Sequence, residues 1–560
     1  MNVRRSTMTI ITALAPPLTA AGPNAAMNRR RTLVAVATFT CLSIFAMGHV
    51  TRVAAQSDAR AILIGAPYFA DPDRRTKLTA AFADIDRAFT EFASREHVPG
   101  AAWGIVIDGE LAHVGVTGYR EWPTKAPING DTVFRIASMT KSFTAMAIIK
   151  LRDEGKLSLD DPAERYVPEL QGLKYPTTDS PRITIRHLLS HAEGFPEDNP
   201  WGDQQLAATD AEMNAMMRGG IPFSNAPGVA YEYSNYGFAI LGRIVTNVAK
   251  MPYREYVAAH ILKPLSLTST TLEPGAVPAA RLAHGYRWED NQWKEEPQLP
   301  DGAFGPMGGM LTSINDLTRY VATFVGAWPP RDGPETSPIK RSSLREMQQV
   351  ARPRPSTVGR SVDGPALLNA GGYGYGLGIT ETCSYGHVVA HSGGLPGFGS
   401  QMRWLPEYGV GLIALGNRTY TGWGGPFSTA LDLLQKTGGL TRRVQQASPA
   451  LLTARDAVSR LIVQWDDALA DRVAANNLYL DRSKERRRAE LASLRNTVGA
   501  CSPATGPFVH VENALRGTWN MTCERGAVGV AITLAPTTPP LVQFLEVGPP
   551  QTPPRPACTP

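Results

Sequence analysis

Cysteine is scarce in this chain: five in 560 residues, at Cys41, Cys383, Cys501, Cys523 and Cys558. Their spacing matches no zinc or iron–sulfur ligand pattern, which argues against a metal-built fold. Acidic residues are missing from the first 55 positions, which hold Arg4, Arg5, Arg29, Arg30, Arg31 and Arg52. Without those six arginines the 56 basic residues become 50, equal to the 50 acidic ones. The sequence pI near 9.0 is therefore a property of the leader and does not point to a nucleic-acid partner. Internal repeats are absent, and so are the alternating strand–helix units of a parallel α/β sheet.

The leader itself reads as an export signal starting at Met27. Met27-Asn-Arg-Arg-Arg31 precedes a mostly apolar stretch from Thr32 to Met47, which is short for a membrane span. Small residues around Val53-Ala-Ala55 then suit a signal peptidase. Residues 1–55 are expected to direct the protein to the periplasm or the medium, leaving no stable span after cleavage. An oxidising destination permits disulfides. Cys501 with Cys523 is the expected pair, closing a loop of roughly twenty residues worth about 3 kcal/mol to a small module.

The length suffices for two to four domains with a substantial core. Leu78, Phe82, Ile85, Phe89 and Phe92 recur at helical spacing and predict one amphipathic helix over Lys77–Arg95. Ala101–Asp108 and Leu111–Thr117 read as a hairpin turning at Asp108-Gly109. Helices and long loops fill about 156–330, with helices at Ile183–Ser190 and Asn235–Lys250. The Pro-, Ser- and Arg-rich stretch 331–370 reads as a loop or insertion. Strand patterns return at Tyr373–Thr380, Val388–His391, Gln401–Leu405 and Val410–Asn417. The expected class is α+β: an antiparallel sheet assembled from both ends of residues 77–435, flanked by helices, with a helical subdomain inserted. Beyond Gly438, residues 445–547 read as a small appended α+β module. Its helices are expected at Leu451–Ala475 and Lys484–Thr497, its strands at Ala527–Leu534 and Leu541–Val547. A disordered tail is expected over 548–560.

Three short motifs carry the chemistry. In Ser138-Met-Thr-Lys141 the serine and lysine share one helical face, a single turn apart. A desolvated lysine can take the proton that keeps a serine hydroxyl a weak nucleophile. The run Phe143–Leu151 is apolar almost all round, as a buried helix requires, and Gly155 suits its C-cap. Alone this is a weak signal, because Ser138 could equally cap a helix. The pattern also recurs at Ser337–Lys340, a decoy in a Pro-rich loop without a helical pattern after it. The second motif is Tyr233-Ser-Asn235, after Pro227-Gly228 and at the head of a helix. The third is His391-Ser-Gly-Gly394, at the end of a strand. Taken singly, Tyr233 suits a core position and Asn235 a helix cap; their order along the chain is what carries weight.

Ser-x-x-Lys, Ser-x-Asn and Lys-Thr-Gly elements mark penicillin-binding proteins and class A β-lactamases. With tyrosine in the second motif and histidine leading the third, the chain resembles the serine β-lactamase-related family around class C β-lactamases. That family includes β-lactamase-type carboxylesterases and D-amino-acid peptidases. The resemblance extends over about 77–435, through Phe134-Arg-Ile-Ala-Ser138, the stretch Ile183–His191, the stretch Tyr233–Gly242 and Gly308-Gly-Met-Leu-Thr-Ser313.

It implies a β-lactamase/transpeptidase-like fold and a serine hydrolase with an acyl-enzyme on Ser138. By the same resemblance Lys141 and Tyr233 manage the proton, and a phenol serves as base only beside a cation such as a buried lysine. Asn235, His391 and Gly393 would contact substrate, and the backbone N–H groups of Ser138 and Gly394 would form the oxyanion hole. No cofactor or metal is needed. The substrate would be a small-molecule ester, a peptide or a cell-wall-derived compound; the oligomeric state is open.

A lysine leading the third motif would carry a fixed charge for a β-lactam carboxylate. Neutral His391 attracts it less, so esterase or peptidase activity is expected to exceed β-lactamase activity. Turnover of carboxylate-bearing substrates is expected to rise toward pH 6 as His391 protonates. His191 is read as a buried structural histidine. One alternative is a non-catalytic, penicillin-recognising sensor. A remoter one takes Ala390-His-Ser392-Gly-Gly394 as the nucleophile elbow of an α/β-hydrolase, which needs a downstream acid and histidine; only His510 follows.

Overall fold

The computed structural model describes residues 63–360, 366–504 and 506–552. The expected export leader lies outside them. Among the described residues no helix is long and apolar enough to cross a membrane.

The Asp108-Gly109 turn starts the main sheet. Both residues have positive φ (54° and 85°), the combination a tight two-residue hairpin demands. They join β1 (Gly100–Ile107) to β2 (Glu110–Glu121). Every residue of β1 is buried, which makes it a central strand covered on both faces. The sheet continues through β3 (Ala126–Pro127), β4 (Arg352–Pro353), β5 (Ala366–Tyr373), β6 (Gly378–Thr382), β7 (Gly386–Leu395), β8 (Phe398–Leu405) and β9 (Val410–Gly416). Among the described residues the order is β3-β2-β1-β9-β8-β7-β6-β5-β4, with Thr357–Arg360 paired onto β5. All neighbours are antiparallel. The pairing of β1 with β9 joins the N-terminal hairpin to the late strands, so the sheet is built from both ends of this region.

Two helices cover one face, α1 (Phe82–Arg95) and the later Gly424–Lys436 helix, around Phe89, Trp103, Trp423 and Phe427. The other face packs on α2 (Thr140–Asp153), α3 (Asn235–Ala249) and α4 (Ile314–Ala327). Lys77–Arg95 is two helices rather than one: Arg74–Thr79 ends before Phe82, and Leu78 belongs to the first. The described residues of the stretch 331–370 are more regular than expected. Arg341–Met347 is helical because it buries Ser343, Leu344 and Met347, and Arg352–Pro353 joins the sheet edge.

The C-terminal part has its own four-stranded sheet, His510–Asn513, Arg516–Cys523, Gly526–Leu534 and Val542–Gly548, over a core that includes Trp519, Val530 and Leu451. The first two strands carry polar residues that gave no strand pattern. Leu451–Ala475 is broken between Pro449–Val463 and Asp467–Val473, where Asp466 caps the second helix by accepting two N–H groups. Order extends past 548: Gln551 both donates to and accepts from Asn520.

Cys501 and Cys523 are joined by a disulfide across 22 positions. Replacing both by serine should cost this sheet about 3 kcal/mol through the freed loop. Hydrogen exchange is the measurement. Amides of 516–534 should lose protection while those of β1 and β9 keep it; unchanged protection in the small sheet would show that the bridge does not stabilise it.

Candidate active site

The Ser138 turn is held from three sides. Phe134–Arg135 pairs with Leu311–Thr312, the Ile136 N–H donates to the Met310 carbonyl (2.9 Å), and the Ser400 hydroxyl donates to the Ile136 carbonyl (2.8 Å). Ala137 then takes φ 48°, a left-handed conformation uncommon for a residue with a Cβ and found where surrounding contacts impose it. Thr140 imposes it here: its hydroxyl donates to the Ala137 carbonyl (2.7 Å) and accepts the Met310 N–H (3.1 Å). Ser138 lies in the 3-10 turn Ala137–Met139 and Lys141 in the first turn of α2. Ser138 is half-buried, whereas Lys141 is inaccessible to solvent.

Lys141 Nζ lies 3.1 Å from Ser138 Oγ, 2.6 Å from Asn235 Oδ1 and 2.8 Å from the Met307 carbonyl. Tyr233 lies beside Ser138, whose hydroxyl acts on its phenol, and its ring centroid is 4.8 Å from Lys141 Nζ. The Tyr233-Ser-Asn235 motif is fixed by the start of α3. Ser234 caps the helix by accepting the Gly237 N–H, and the Asp198 carboxylate accepts the N–H groups of Asn235 (2.7 Å) and Tyr236 (2.8 Å). Asn235 Nδ2 donates to Asn199 Oδ1 (2.5 Å). The first two motifs therefore meet, as their order in the sequence predicts.

The third motif arrives on β7. A Cβ on Gly393 would come within 2.2 Å of the Ile136 carbonyl and 3.0 Å of Ala137 Cβ; only glycine lets the strand approach the Ser138 turn this closely. Gly394 follows in the same strand, with Tyr420 on its other side. β6 stops at Gly378, opposite Ala390, so His391–Leu395 has no β6 partner on that edge. A substrate can lie between this edge and Ser138.

His391 is placed differently from expectation. It is 8% exposed, its Nδ1 lies 2.6 Å from its neighbour Ser392's carbonyl, and its Nε2 lies 2.8 Å from the Tyr373 hydroxyl. Nδ1–H donates to the carbonyl and Nε2 accepts from the phenol, which uses both nitrogens. Burial, with Lys141 nearby, presses its pKa down to about 3. His391 therefore stays neutral through the working range, and the expected gain of positive charge toward pH 6 does not arise from this ring. The sequence could not show this, because the effect comes from burial.

Two further findings separate Ser138 from its rivals. Lys340 is exposed, unlike Lys141, although a short helix does follow it. Ser392 lies inside an antiparallel strand rather than at a strand–turn–helix elbow, which removes the α/β-hydrolase reading. His191 is buried behind Tyr233 at a ring distance of 4.3 Å, its Nδ1 accepting the Ser234 N–H (3.1 Å), in keeping with a structural role.

Burial governs the electrostatics. It pulls the Lys141 ammonium down to about 7, opposed in part by the negative charges of Asp198 and Asp203. It pushes the Tyr233 phenol well above the ordinary tyrosine range, although the neighbouring Ser138 hydroxyl pulls the other way. Near pH 7 and above, the lysine rather than the phenol is the group able to accept a proton. Asp198, Asp203 and Tyr373 escaped the sequence reading. Each acts through the folded neighbourhood, and none stands in a recognisable motif.

The chain matches the Beta-lactamase family profile over residues 85–436. It is 30% identical over 338 residues to Protein flp of Staphylococcus aureus strain MW2, covering 60% of this chain and 62% of that protein. The chain thus spans less than two thirds of the length of these relatives. It is 26% identical over 375 residues to a Beta-lactamase of Lysobacter lactamgenus, covering 65% of this chain and 94% of that one. Two solved structures share the fold. The octameric penicillin-binding protein homologue from Pyrococcus abyssi gives a TM-score of 0.54 at 20% identity, covering 83% of this chain and 95% of that one. A class C β-lactamase mutant gives 0.51 at 18% identity, covering 66% and 99%.

Proposed function

The chain belongs to the β-lactamase family, and we propose that it is a serine hydrolase acting through an acyl-enzyme on Ser138, with esters and D-aminoacyl amides preferred over β-lactams. The observation that carries this reading is a fully buried Lys141, depressed to about 7, within 3.1 Å of the Ser138 hydroxyl.

In the proposed first step Ser138 Oγ attacks the substrate carbonyl carbon while its proton passes to neutral Lys141 Nζ. The backbone N–H groups of Ser138 and Gly394 receive the developing oxyanion. The carbonyl-to-leaving-group bond then breaks, and the proton held by Lys141 goes to the departing alkoxide or amine. Tyr233, protonated and beside Ser138, serves as the relay rather than as a phenolate base. Water next attacks the acyl carbon, gives up a proton through the same pair and releases Ser138. Asn235 holds Lys141 through Oδ1 in each step. His391 positions Tyr373 and the strand edge instead of touching substrate. A neutral group at that position supports the preference for substrates without a carboxylate there.

A fluorophosphonate probe followed by peptide mapping should label Ser138 and neither Ser337 nor Ser392. Chromogenic esters and D-amino-acid amides should turn over faster than a cephalosporin. Label on another serine would overturn the assignment, and a cephalosporin cleaved faster than every ester and amide would overturn the preference.

A further inference from the structure

The end of the groove beyond Gly394 is built by the loop that follows β9. Gly393 faces the Ser138 turn, so Gly394, the next residue of the strand, faces the other side of the sheet. Gly394 pairs with Gly399 of β8, and the two leave a bare patch there, which Tyr420 and Thr421 fill. A Cβ on Gly394 would meet Tyr420 Cδ1 at 2.6 Å, and one on Gly399 would run into the Thr421 backbone. Tyr420 takes φ 54°, a left-handed conformation that is costly for a residue with a Cβ. Its N–H donates to the Phe398 carbonyl (3.1 Å), and Trp423 Nε1 donates to the Gly399 carbonyl (3.1 Å). These bonds hold the loop across the strands.

The Tyr420 side chain then reaches the opposite wall. Its hydroxyl donates to Asp203 Oδ2 (2.8 Å). Asp203 is buried and lies in the short helix Trp201–Gln204, whose Gly202 packs so closely on Asn235 that a Cβ would come within 2.7 Å of the Asn235 Cβ. One edge of β7 is taken by β8. A ring reaching from the far face of Gly394 to the Asn235 side therefore passes the free edge, and the phenol joins the two walls of the groove. β6 leaves that edge at Ala390, so the open length runs from His391 to Gly394, about 10 Å at strand spacing. Tyr420 is 49% exposed, which places it at the mouth of the groove rather than in the core. Burial and the Asp203 carboxylate raise its phenol above the ordinary tyrosine range, so it remains a donor through neutral pH.

We propose that Tyr420 is a specificity-determining residue that closes the groove at Gly394 and limits the substrate to a short group on that side. A left-handed position suits glycine; the large ring standing there instead is what forms the bridge to Asp203. The substrate class is a small ester or amide, not a bond inside a polymer, because the continuing chain would have to pass between Tyr420 and Asp203. This rests on the hydrolase reading above.

Two ester series test this, one lengthening the acyl group and one the alcohol. The first is p-nitrophenyl acetate, butyrate and octanoate; the second is phenyl, 4-propylphenyl and 4-hexylphenyl acetate. The wild type should favour the shortest member of at least one series by kcat/KM. In that series Tyr420→Gly, which also relieves the backbone, should raise the ratio of longest to shortest roughly tenfold or more, as room for several methylenes predicts. Tyr420→Phe keeps the ring, loses only the tether to Asp203, and should move the same ratio in the same direction by a smaller factor. Calorimetry on Ser138→Ala protein reads the selectivity without turnover: adding Tyr420→Gly should tighten binding of the longest ester relative to the shortest. A length preference unchanged in both rate and binding would overturn the inference, and so would a protein that neither binds nor cleaves any of these esters. A preference that shifts in binding while no ester is cleaved would uphold it and overturn the hydrolase reading.

Discussion

Ser138→Ala should lower kcat for every ester and amide the protein cleaves by at least about four orders of magnitude, because a lost nucleophile is not replaced by the rest of a preorganised site. The fold should tolerate the change. Ser138 sits in a turn whose shape is set by Thr140, Ser400 and Met310. The hydrogen bond of its own hydroxyl is made within the site, with Lys141. Lys141 would keep Asn235 and the Met307 carbonyl, so no buried amine is orphaned. Substrate should still bind, since the free edge of β7 is untouched. Ser337→Ala, at the other Ser-x-x-Lys, should retain wild-type rates. A steady-state comparison of the two variants, with circular dichroism to verify folding, makes the measurement. Residual turnover above about one per cent in Ser138→Ala would mean that another group forms the acyl-enzyme.

How far the sequence could be read depended on the range of the interactions. Asp108-Gly109 announced its hairpin because a two-residue turn with both φ angles positive is a local requirement. The buried α2 followed from an apolar run without a polar face, and Ser138 with Lys141 from a one-turn spacing. Longer-range features were hidden. Asp198 caps α3 from 37 positions away at Asn235, and no spacing rule connects a loop carboxylate to that helix. Tyr373 meets His391 only because β5, β6 and β7 lie side by side. The helix Arg341–Met347 and strand β4 were masked by the Pro- and Arg-rich composition around them. His391 is the sharpest case: its position in the motif was legible, but its neutrality depends on a buried pocket beside Lys141.

The pH dependence of catalysis should follow Lys141. Its ammonium sits near 7 because burial disfavours the charged form. The neutral amine is the base, so kcat/KM should climb about tenfold per pH unit below 7 and level off above it. The sign can be checked with a neighbour. The Asp203 carboxylate favours the protonated lysine, and it accepts the Tyr420 hydroxyl (2.8 Å), a bond that an asparagine oxygen can still accept. Asp203→Asn should therefore move the acid limb to lower pH and raise the rate at pH 6 relative to the plateau. Lys141→Arg should lose about two to four orders of magnitude in kcat, since a guanidinium cannot take the proton from Ser138. The same depression has a stability consequence. Between about 7 and the ordinary lysine value near 10.4, the unfolded chain holds a proton that the native one has lost. Native stability from this group should therefore rise with pH across that window, the penalty being greatest below it. Tyr233 predicts otherwise: a phenol raised well above 10 acting as the base would put the limb far up the alkaline range and leave it indifferent to pH 7. A wild-type limb in that alkaline range, or an acid limb that Asp203→Asn shifts upward, would remove Lys141 from the role of base.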